Sequence, residues 1–109
     1  IFHLAGVTDH ALLVDLNWLR FETVFAPKVY GSFYLHRYSK DLDFFVMFSS
    51  IASSMGIEGQ SNYSAANAFM DALCEYRKQK GLPALSVSWG PWSEVGMAKG
   101  RVEDLAKGG

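Results

Sequence analysis

Four polar residues of this chain, Lys28, Ser50, Tyr63 and Asn67, have types and positions that could act together on a carbonyl group. Tyr63 and Asn67 are four residues apart in the stretch SNYSAANAFMDAL, so a helix would place them on one face. Ser50 closes an apolar run shortly before that stretch, and Lys28 belongs to an earlier segment that could flank the same crevice. One site could therefore contain all four.

The chemistry suited to these side chains is proton transfer to a carbonyl oxygen. A phenol normally ionises at about pH 10, and a nearby ammonium, together with the helix start, is expected to lower the pKa of Tyr63. Such a phenol could protonate the oxygen while Ser50 hydrogen-bonds it. Asn67 could orient Lys28 or hold a water that relays the proton. Carbonyl reduction follows if a hydride donor lies opposite, although each residue alone also suits an ordinary core or loop position.

Strands and helices alternate along the sequence, which predicts a parallel sheet flanked by helices. Three apolar runs are predicted as buried strands, at residues 1–7, 42–50 and 84–90. Helical segments are predicted at residues 8–25 from the spacing of its leucines and Val24, at 27–39 with Pro27 as its start, and from about Ser61 to Lys80. A loop is predicted before the last of these helices, and Gly81 followed by Pro83 is expected to end it. Ligands bind at the carboxyl ends of the strands in such sheets, so a site is expected there.

Composition restricts the classes of function. The 109 residues are 50% hydrophobic and 15% aromatic, as expected for one packed domain. The net charge is -1 without a basic run, and no apolar run approaches the length of a membrane span, so neither nucleic acid nor a membrane is an expected partner. No metal site is predicted. The single cysteine, Cys74, is expected to pack in the core, and a reducing, cytoplasmic compartment is expected.

Two long segments resemble ketoreductase domains of modular polyketide synthases. The motifs are FSS, GQSNYSAANAFMDAL, KGLPALSVSWGPW and GMA within residues 45–98, preceded by HLAGVTDH…FYLH at 3–36. The resemblance implies the short-chain dehydrogenase/reductase fold, a Rossmann-like doubly wound parallel sheet flanked by helices. It further implies that residues 1–109 are the C-terminal, catalytic part of one domain, hence an incomplete fold. The absence of an initiator methionine at Ile1 also indicates a piece of a longer polypeptide.

The activity implied by this resemblance is NADPH-dependent reduction of a β-ketoacyl thioester carried by an acyl carrier protein. Tyr63 resembles the family's proton donor, Ser50 its carbonyl-binding serine, and Lys28 and Asn67 complete the tetrad. Ordinary short-chain dehydrogenases have a lysine four residues after the tyrosine, where this chain has Asn67. The partners implied are the remainder of the ketoreductase domain and neighbouring polyketide synthase domains.

The resemblance also implies contacts with cofactor and substrate. Ala5, Gly6 and Val7 resemble the backbone segment beside the cofactor's adenosine. The turn expected to contact the nicotinamide comprises Gly90, Pro91 and Trp92. The residues expected near the substrate are Met55, Gln60 and, in a lid over residues 93–99, Met97.

Several alternatives stay open at this level. Thr8-Asp9-His10 stands where one stereochemical class has Leu-Asp-Asp, and Met55 stands where the other class often has tryptophan, so the handedness of the product alcohol is not assigned. His10 could lie at the substrate entrance, but a surface histidine in a loop is the preferred interpretation. A non-reducing structural relative or an epimerase-type relative is the alternative function. A free-standing dehydrogenase for small alcohols is disfavoured by Asn67.

A first prediction concerns NADPH binding by the 109 residues alone. They contain no G-x-G-x-x-G loop, whose backbone N–H groups and helix start form the main pyrophosphate site of a dinucleotide fold. The isolated polypeptide is therefore expected to bind NADPH weakly or not at all in calorimetry. Sub-micromolar binding would contradict this expectation.

Overall fold

The computed structural model describes residues 1–56 and 58–90. Its three strands are β1 (Phe2–His3), β2 (Val46–Ser50) and β3 (Leu85–Trp89), which form one parallel sheet in the order β1-β2-β3. His3 lies opposite Met47, and the carboxyl-terminal residues of β2 and β3 are paired with each other. The predicted parallel α/β arrangement is therefore confirmed.

The helices follow the predicted alternation. They are α1 (Trp18–Phe25), a π-helical turn (Ala26–Tyr30), α2 (Gly31–Tyr38), α3 (Ala52–Met55) and α4 (Ser61–Gln79), with a 3-10 turn at Leu13–Asp15. The helix α4 packs on β2 and β3 and also contacts α1, the π-helical turn and α3. It therefore connects the sheet with every helical segment that could carry site residues.

The prediction of a buried strand over residues 1–7 is wrong in length and burial. Strand β1 has only two residues, and Phe2 remains 65% exposed. Within the part of the chain that the structure describes, β1 is an edge strand paired only with β2, and Phe2 is on the face opposite the buried His3. The third strand differs in the same way, because Leu85 and Trp89 on β3 are exposed.

The helix predicted over residues 8–25 begins only at Trp18. Asn17 is its N-cap, and the Asn17 side chain accepts a hydrogen bond from the backbone N–H of Arg20 at 3.0 Å. The leucines before Trp18 are not part of α1, and Leu13, in the 3-10 turn, is 75% exposed. Of the leucines and valine that suggested the helix, only Val24 is buried. The capping asparagine was the more informative signal.

Pro27 does not start a separate helix. The helical backbone passes from α1 to α2 through the π-helical turn, in which the N–H of Gly31 bonds to the carbonyl of Ala26. Proline has no N–H to donate and its ring crowds the preceding turn, and the extra residue of a π turn accommodates both effects. This turn contains Lys28.

The segment between β2 and α4 is partly helical, although a loop was predicted there. Helix α3 ends at Gly56, whose φ of 68° is in the left-handed region that favours glycine. The predicted helix from Ser61 to Lys80 is confirmed within one residue as α4, and Gly81, with φ 75°, follows its end as predicted.

The core lies between α4 and the sheet. Its buried members are Phe45, Met47, Met70, Leu73 and Cys74. Cys74 is a free, buried thiol, as its apolar helix neighbours predicted. No helix in the described residues is long and apolar enough to cross a membrane.

Candidate active site

Lys28 is a buried lysine at the centre of the candidate site. Its side chain is 3% exposed, and Nζ donates a hydrogen bond of 3.1 Å to the backbone carbonyl of Phe48 on β2. The same ammonium lies 5.3 Å from the centroid of the Tyr63 ring, within the range of a cation–π interaction. The π-helical turn thus places a positive charge between a strand backbone and an aromatic ring.

The charge of Lys28 is sensitive to its surroundings. Burial lowers the pKa of the Lys28 ammonium from 10.5 to about 8, and the nearby carboxylate of Asp71 opposes this decrease. Lys28 is therefore mainly charged at neutral pH, in a place where a charge is costly. Such a group needs close polar and aromatic partners, which Phe48 and Tyr63 supply.

Asn62 fixes the first turn of α4, where Tyr63 lies. It is wholly buried, and Nδ2 donates to the carbonyls of Asp9 at 3.0 Å and Arg20 at 3.1 Å. Its Oδ1 accepts a hydrogen bond of 2.8 Å from the N–H of Tyr63. This residue was missed in the sequence, because it lies inside α4, two residues after the N-cap Gln60, where no capping pattern points to it.

The pKa of Tyr63 moves in the direction opposite to the prediction. Burial raises the pKa of the Tyr63 phenol, and the side chains of Asn67 and Ser50 only partly oppose the rise. The Lys28 ammonium faces the ring, 5.3 Å from its centroid. The expectation of a lowered value is therefore wrong, because desolvation outweighs the polar neighbours.

Asn67 lies one turn after Tyr63 and is wholly buried. Its Nδ2 donates a hydrogen bond of 2.8 Å to the backbone carbonyl of Tyr63, and the backbone carbonyl of Asn67 accepts one of 3.3 Å from Ser49 Oγ. Among the described residues no hydrogen bond joins Asn67 to Lys28, so the first predicted role, orienting Lys28, stays a prediction. Within the described part of the chain, Asn67 Oδ1 is buried without a hydrogen-bond partner.

Ser50 is the last residue of β2, as predicted. Its Oγ accepts a hydrogen bond of 3.2 Å from the N–H of Ala52, and its carbonyl accepts one of 2.9 Å from Ser53 Oγ. The first turn of α3 thereby holds the end of the strand. Because the Ser50 hydroxyl also interacts with the phenol of Tyr63, the structure brings together all four residues singled out in the sequence.

Asp71 extends the same face of α4 and was not singled out in the sequence. It follows Tyr63 and Asn67 at two successive intervals of four residues, and its Oδ1 accepts a hydrogen bond of 2.6 Å from Ser86 Oγ on β3. Since its carboxylate also favours the charged form of Lys28, it belongs to the electrostatic surroundings of the site. The repeated spacing could have identified it.

The residues expected near a cofactor lie at the carboxyl ends of β1 and β3. Ala5 and Val7 are exposed and Gly6 is half-buried just after β1, while Gly90 is exposed just after β3. The remaining members of that prediction and of the predicted lid, Pro91, Trp92 and Met97, lie outside the described residues.

The residues expected near a substrate have different surroundings. Met55 ends α3 and is exposed. Gln60 is buried, and its Nε2 lies 3.3 Å from both ring nitrogens of His10. His10 is exposed in a loop, as predicted. In the described residues, no group of three or more His, Cys, Asp or Glu side chains could hold a metal ion.

A second prediction follows from the burial of Lys28. Replacing Lys28 with Met should raise the free energy of unfolding at neutral pH by on the order of 2 kcal/mol, because a desolvated charge is removed. Above pH 8 the difference in stability between the variant and the unmutated protein should shrink. The folded state then releases the Lys28 proton, whereas the unfolded state retains it up to about pH 10.5, so the unmutated protein becomes more stable as the pH rises.

The measurement is urea denaturation at a series of pH values. The matched control is Lys78→Met on the exposed surface of α4, which should change stability by less than about 0.5 kcal/mol. A Lys28→Met variant that is less stable at neutral pH would contradict the account, as would a difference that is independent of pH.

Comparison with known proteins identifies the family. The model of the family described as "KR domain" matches residues 1–94. The spectinabilin polyketide synthase system protein NorB of Streptomyces orinoci is 46% identical over 98 residues, which are 88% of this chain and 4% of that protein. The mycoketide-CoA synthase of Mycobacterium tuberculosis is 42% identical over 111 residues, which are 98% of this chain and 3% of that protein.

Solved structures agree with this family and with the fold. The ketoreductase from the first module of phoslactomycin biosynthesis in Streptomyces sp. HK803 matches with a TM-score of 0.91 at 38% identity, over 97% of this chain and 25% of that one. The first ketoreductase of the tylosin synthase matches with a TM-score of 0.84 at 48% identity, over 90% of this chain and 22% of that one. This chain thus spans about a quarter of those structures and, with its short-chain dehydrogenase/reductase fold, belongs to the ketoreductase domains of polyketide synthases.

Proposed function

We propose that this chain is the C-terminal, catalytic part of a ketoreductase domain that reduces a β-ketoacyl thioester to the β-hydroxyacyl thioester. The acyl chain would be carried by an acyl carrier protein, and the reductant would be NADPH. The single observation that carries this proposal is the buried ammonium of Lys28 against the ring of Tyr63, beside Ser50 at the end of β2.

Tyr63 acts as the proton donor in this mechanism. Burial raises the pKa of its phenol, so the phenol carries its proton at neutral pH, as an acid must before it donates. The carbonyl oxygen of the substrate takes this proton as its carbon is reduced. The phenolate that remains lies on a ring whose centroid is 5.3 Å from the Lys28 ammonium, which favours the negative charge.

Ser50 and Asn67 support this proton transfer in different ways. The Ser50 hydroxyl interacts with the phenol and can donate a hydrogen bond to the same carbonyl oxygen, which positions the oxygen beside Tyr63. The Asn67 amide holds the backbone carbonyl of Tyr63 and thereby the first turn of α4. Its buried Oδ1 suits the second role predicted for it, which is to accept a hydrogen bond from a proton-relaying water.

The residues at the sheet edge fit a nicotinamide cofactor. Gly6 and Gly90 have no side chain that would keep a ligand from the backbone, and a Cβ added at Gly90 would meet no atom of the described residues within 4 Å. Lys28 has three N–H donors, and the hydrogen bond to Phe48 uses one of them, so the others suit hydroxyl groups of a ribose. The cofactor would supply the hydride that this chain's side chains cannot.

The partners proposed follow from the short span of the match. The two curated relatives above are a polyketide synthase system protein and a mycoketide-CoA synthase, and this chain corresponds to 4% and 3% of their lengths. We therefore infer that the remainder of the ketoreductase domain contributes the missing glycine-rich loop. Neighbouring synthase domains, including an acyl carrier protein, would deliver the substrate.

A third prediction tests the proton donor in the complete ketoreductase domain. Tyr63→Phe removes only the hydroxyl and should lower kcat for a β-ketoacyl thioester surrogate by about a hundredfold or more. The loss is followed by the absorbance of NADPH. The matched control is Tyr76→Phe, the same change on the exposed end of the same helix, which should leave kcat unchanged.

Two results would contradict the proposal. A Tyr63→Phe domain that reduces the thioester as fast as the unmutated domain would show that the phenol is not the acid. An unmutated domain that binds NADPH without reducing the thioester would instead favour the structural or epimerase-type alternative.

A further inference from the structure

His3 is a buried polar residue in the short strand β1, and none of the roles above uses it. It is 8% exposed, and its Nε2 lies 2.8 Å from the backbone carbonyl of Pro27, the residue before Lys28. A carbonyl oxygen only accepts hydrogen bonds, so Nε2 must carry the hydrogen and donate it. The imidazole is thus attached directly to the π-helical turn.

The hydrogen bonding of the π-helical turn explains why this donor is needed. In a regular α-helix, the N–H of Gly31 would bond to the carbonyl of Pro27, four residues earlier. Here it bonds to the carbonyl of Ala26, five residues earlier, so Pro27 loses its usual helical donor. The Nε2–H group of His3 supplies a replacement from outside the helix.

The turn also has room for the imidazole ring. A Cβ added at Gly31 would lie 3.4 Å from Cε1 and 3.5 Å from Nε2 of His3, so the ring rests on helix backbone where there is no side chain. From the start of α2, the buried hydroxyl of Ser32 donates back to the turn, to the carbonyl of Lys28 and, at 3.2 Å, to that of Val29. The carbonyls on both sides of the Lys28 Cα therefore have side-chain donors.

The sheet connects these contacts with the ammonium of Lys28. His3 lies opposite Met47 in the register of β1 and β2, and Phe48, the next residue of β2, accepts the hydrogen bond from Lys28 Nζ. His3 and Phe48, at neighbouring positions of the paired strands, thus hold the backbone and the side chain of Lys28. One contact fixes the backbone before Lys28, and the other fixes its side chain.

We propose that His3 is a positioning residue for Lys28, whose Nε2–H bond to Pro27 holds the π-helical turn on β1 and so keeps the Lys28 ammonium at Phe48 and Tyr63. This inference rests on the proposed function, since it assigns His3 to the same site. His3 acts through Lys28 and does not touch the reacting groups.

The charge state of His3 agrees with this role. Burial lowers the pKa of the imidazole, the hydrogen bond to Pro27 opposes the decrease, and the positive charge of Lys28 adds to it. His3 is therefore neutral at neutral pH and donates without placing a second positive charge beside Lys28. The sequence signal was present but unused: His3 is the only polar residue in the apolar run IFHLAGV.

The test compares two variants of the complete ketoreductase domain. His3→Leu removes the donor and should lower kcat about tenfold with little change in KM, the effect expected from losing one buried hydrogen bond. His3→Gln keeps an N–H donor at similar reach and should restore most of kcat. In a Lys28→Met background, His3→Leu should cause no further loss, because it acts through Lys28.

Hydrogen exchange gives a second measurement that does not depend on activity. His3→Leu should accelerate amide exchange in residues 28–32, and His3→Gln should restore the protection. Cys74→Ala in the core is the control, because it should lower the melting temperature while leaving kcat and exchange in this segment unchanged.

The outcomes separate this inference from the proposed function. Unchanged exchange in His3→Leu overturns the role of His3 whatever the activity, and so do losses that multiply in the Lys28→Met background. If exchange responds as expected but the unmutated domain does not reduce the thioester, the attachment of the turn by His3 stands and the proposed function fails.

Discussion

A buried ammonium is the constraint on which the rest of this site depends. Lys28 is almost completely removed from solvent, which lowers its pKa to about 8, and a charge in such a place must be matched by close partners. The carbonyl of Phe48 and the ring of Tyr63 are those partners. Phe48 is on the strand β2, Tyr63 is at the start of α4, and Lys28 itself is in the π-helical turn. These three elements must therefore be positioned together for the buried lysine to be tolerated.

The site is therefore built on paired backbone elements. The sheet register sets His3 and Phe48 against the π-helical turn, and Asn62 joins the first turn of α4 to α1 and to the preceding loop. In this arrangement the phenol of Tyr63 keeps its proton, since burial raises its pKa, and the Lys28 ammonium lies beside its ring. A proton donor and the charge that favours its conjugate base are thus held before any substrate arrives, which reduces the reorganisation required during reaction.

Much of this arrangement could be predicted from local patterns. Alternating apolar runs predicted the parallel sheet, and the spacing of Tyr63 and Asn67, with Ser50 at a strand end, predicted where side chains would meet. Features that depend on the balance of long-range contacts could not be predicted. The pKa of Tyr63 depends on how much desolvation outweighs its polar neighbours, the passage of the helix through Pro27 depends on the π-helical turn, and the exposure of β1 depends on what packs against it.

Lys28 is held as a buried ammonium beside Tyr63. The most direct test is to titrate the Lys28 side chain by 15N NMR in the complete ketoreductase domain with labelled lysine, with Lys28→Met used to assign the resonance. We expect the Lys28 ammonium to titrate with a pKa of about 8. A pKa at the ordinary lysine value of 10.5 would show that the charge is solvated and would contradict the account.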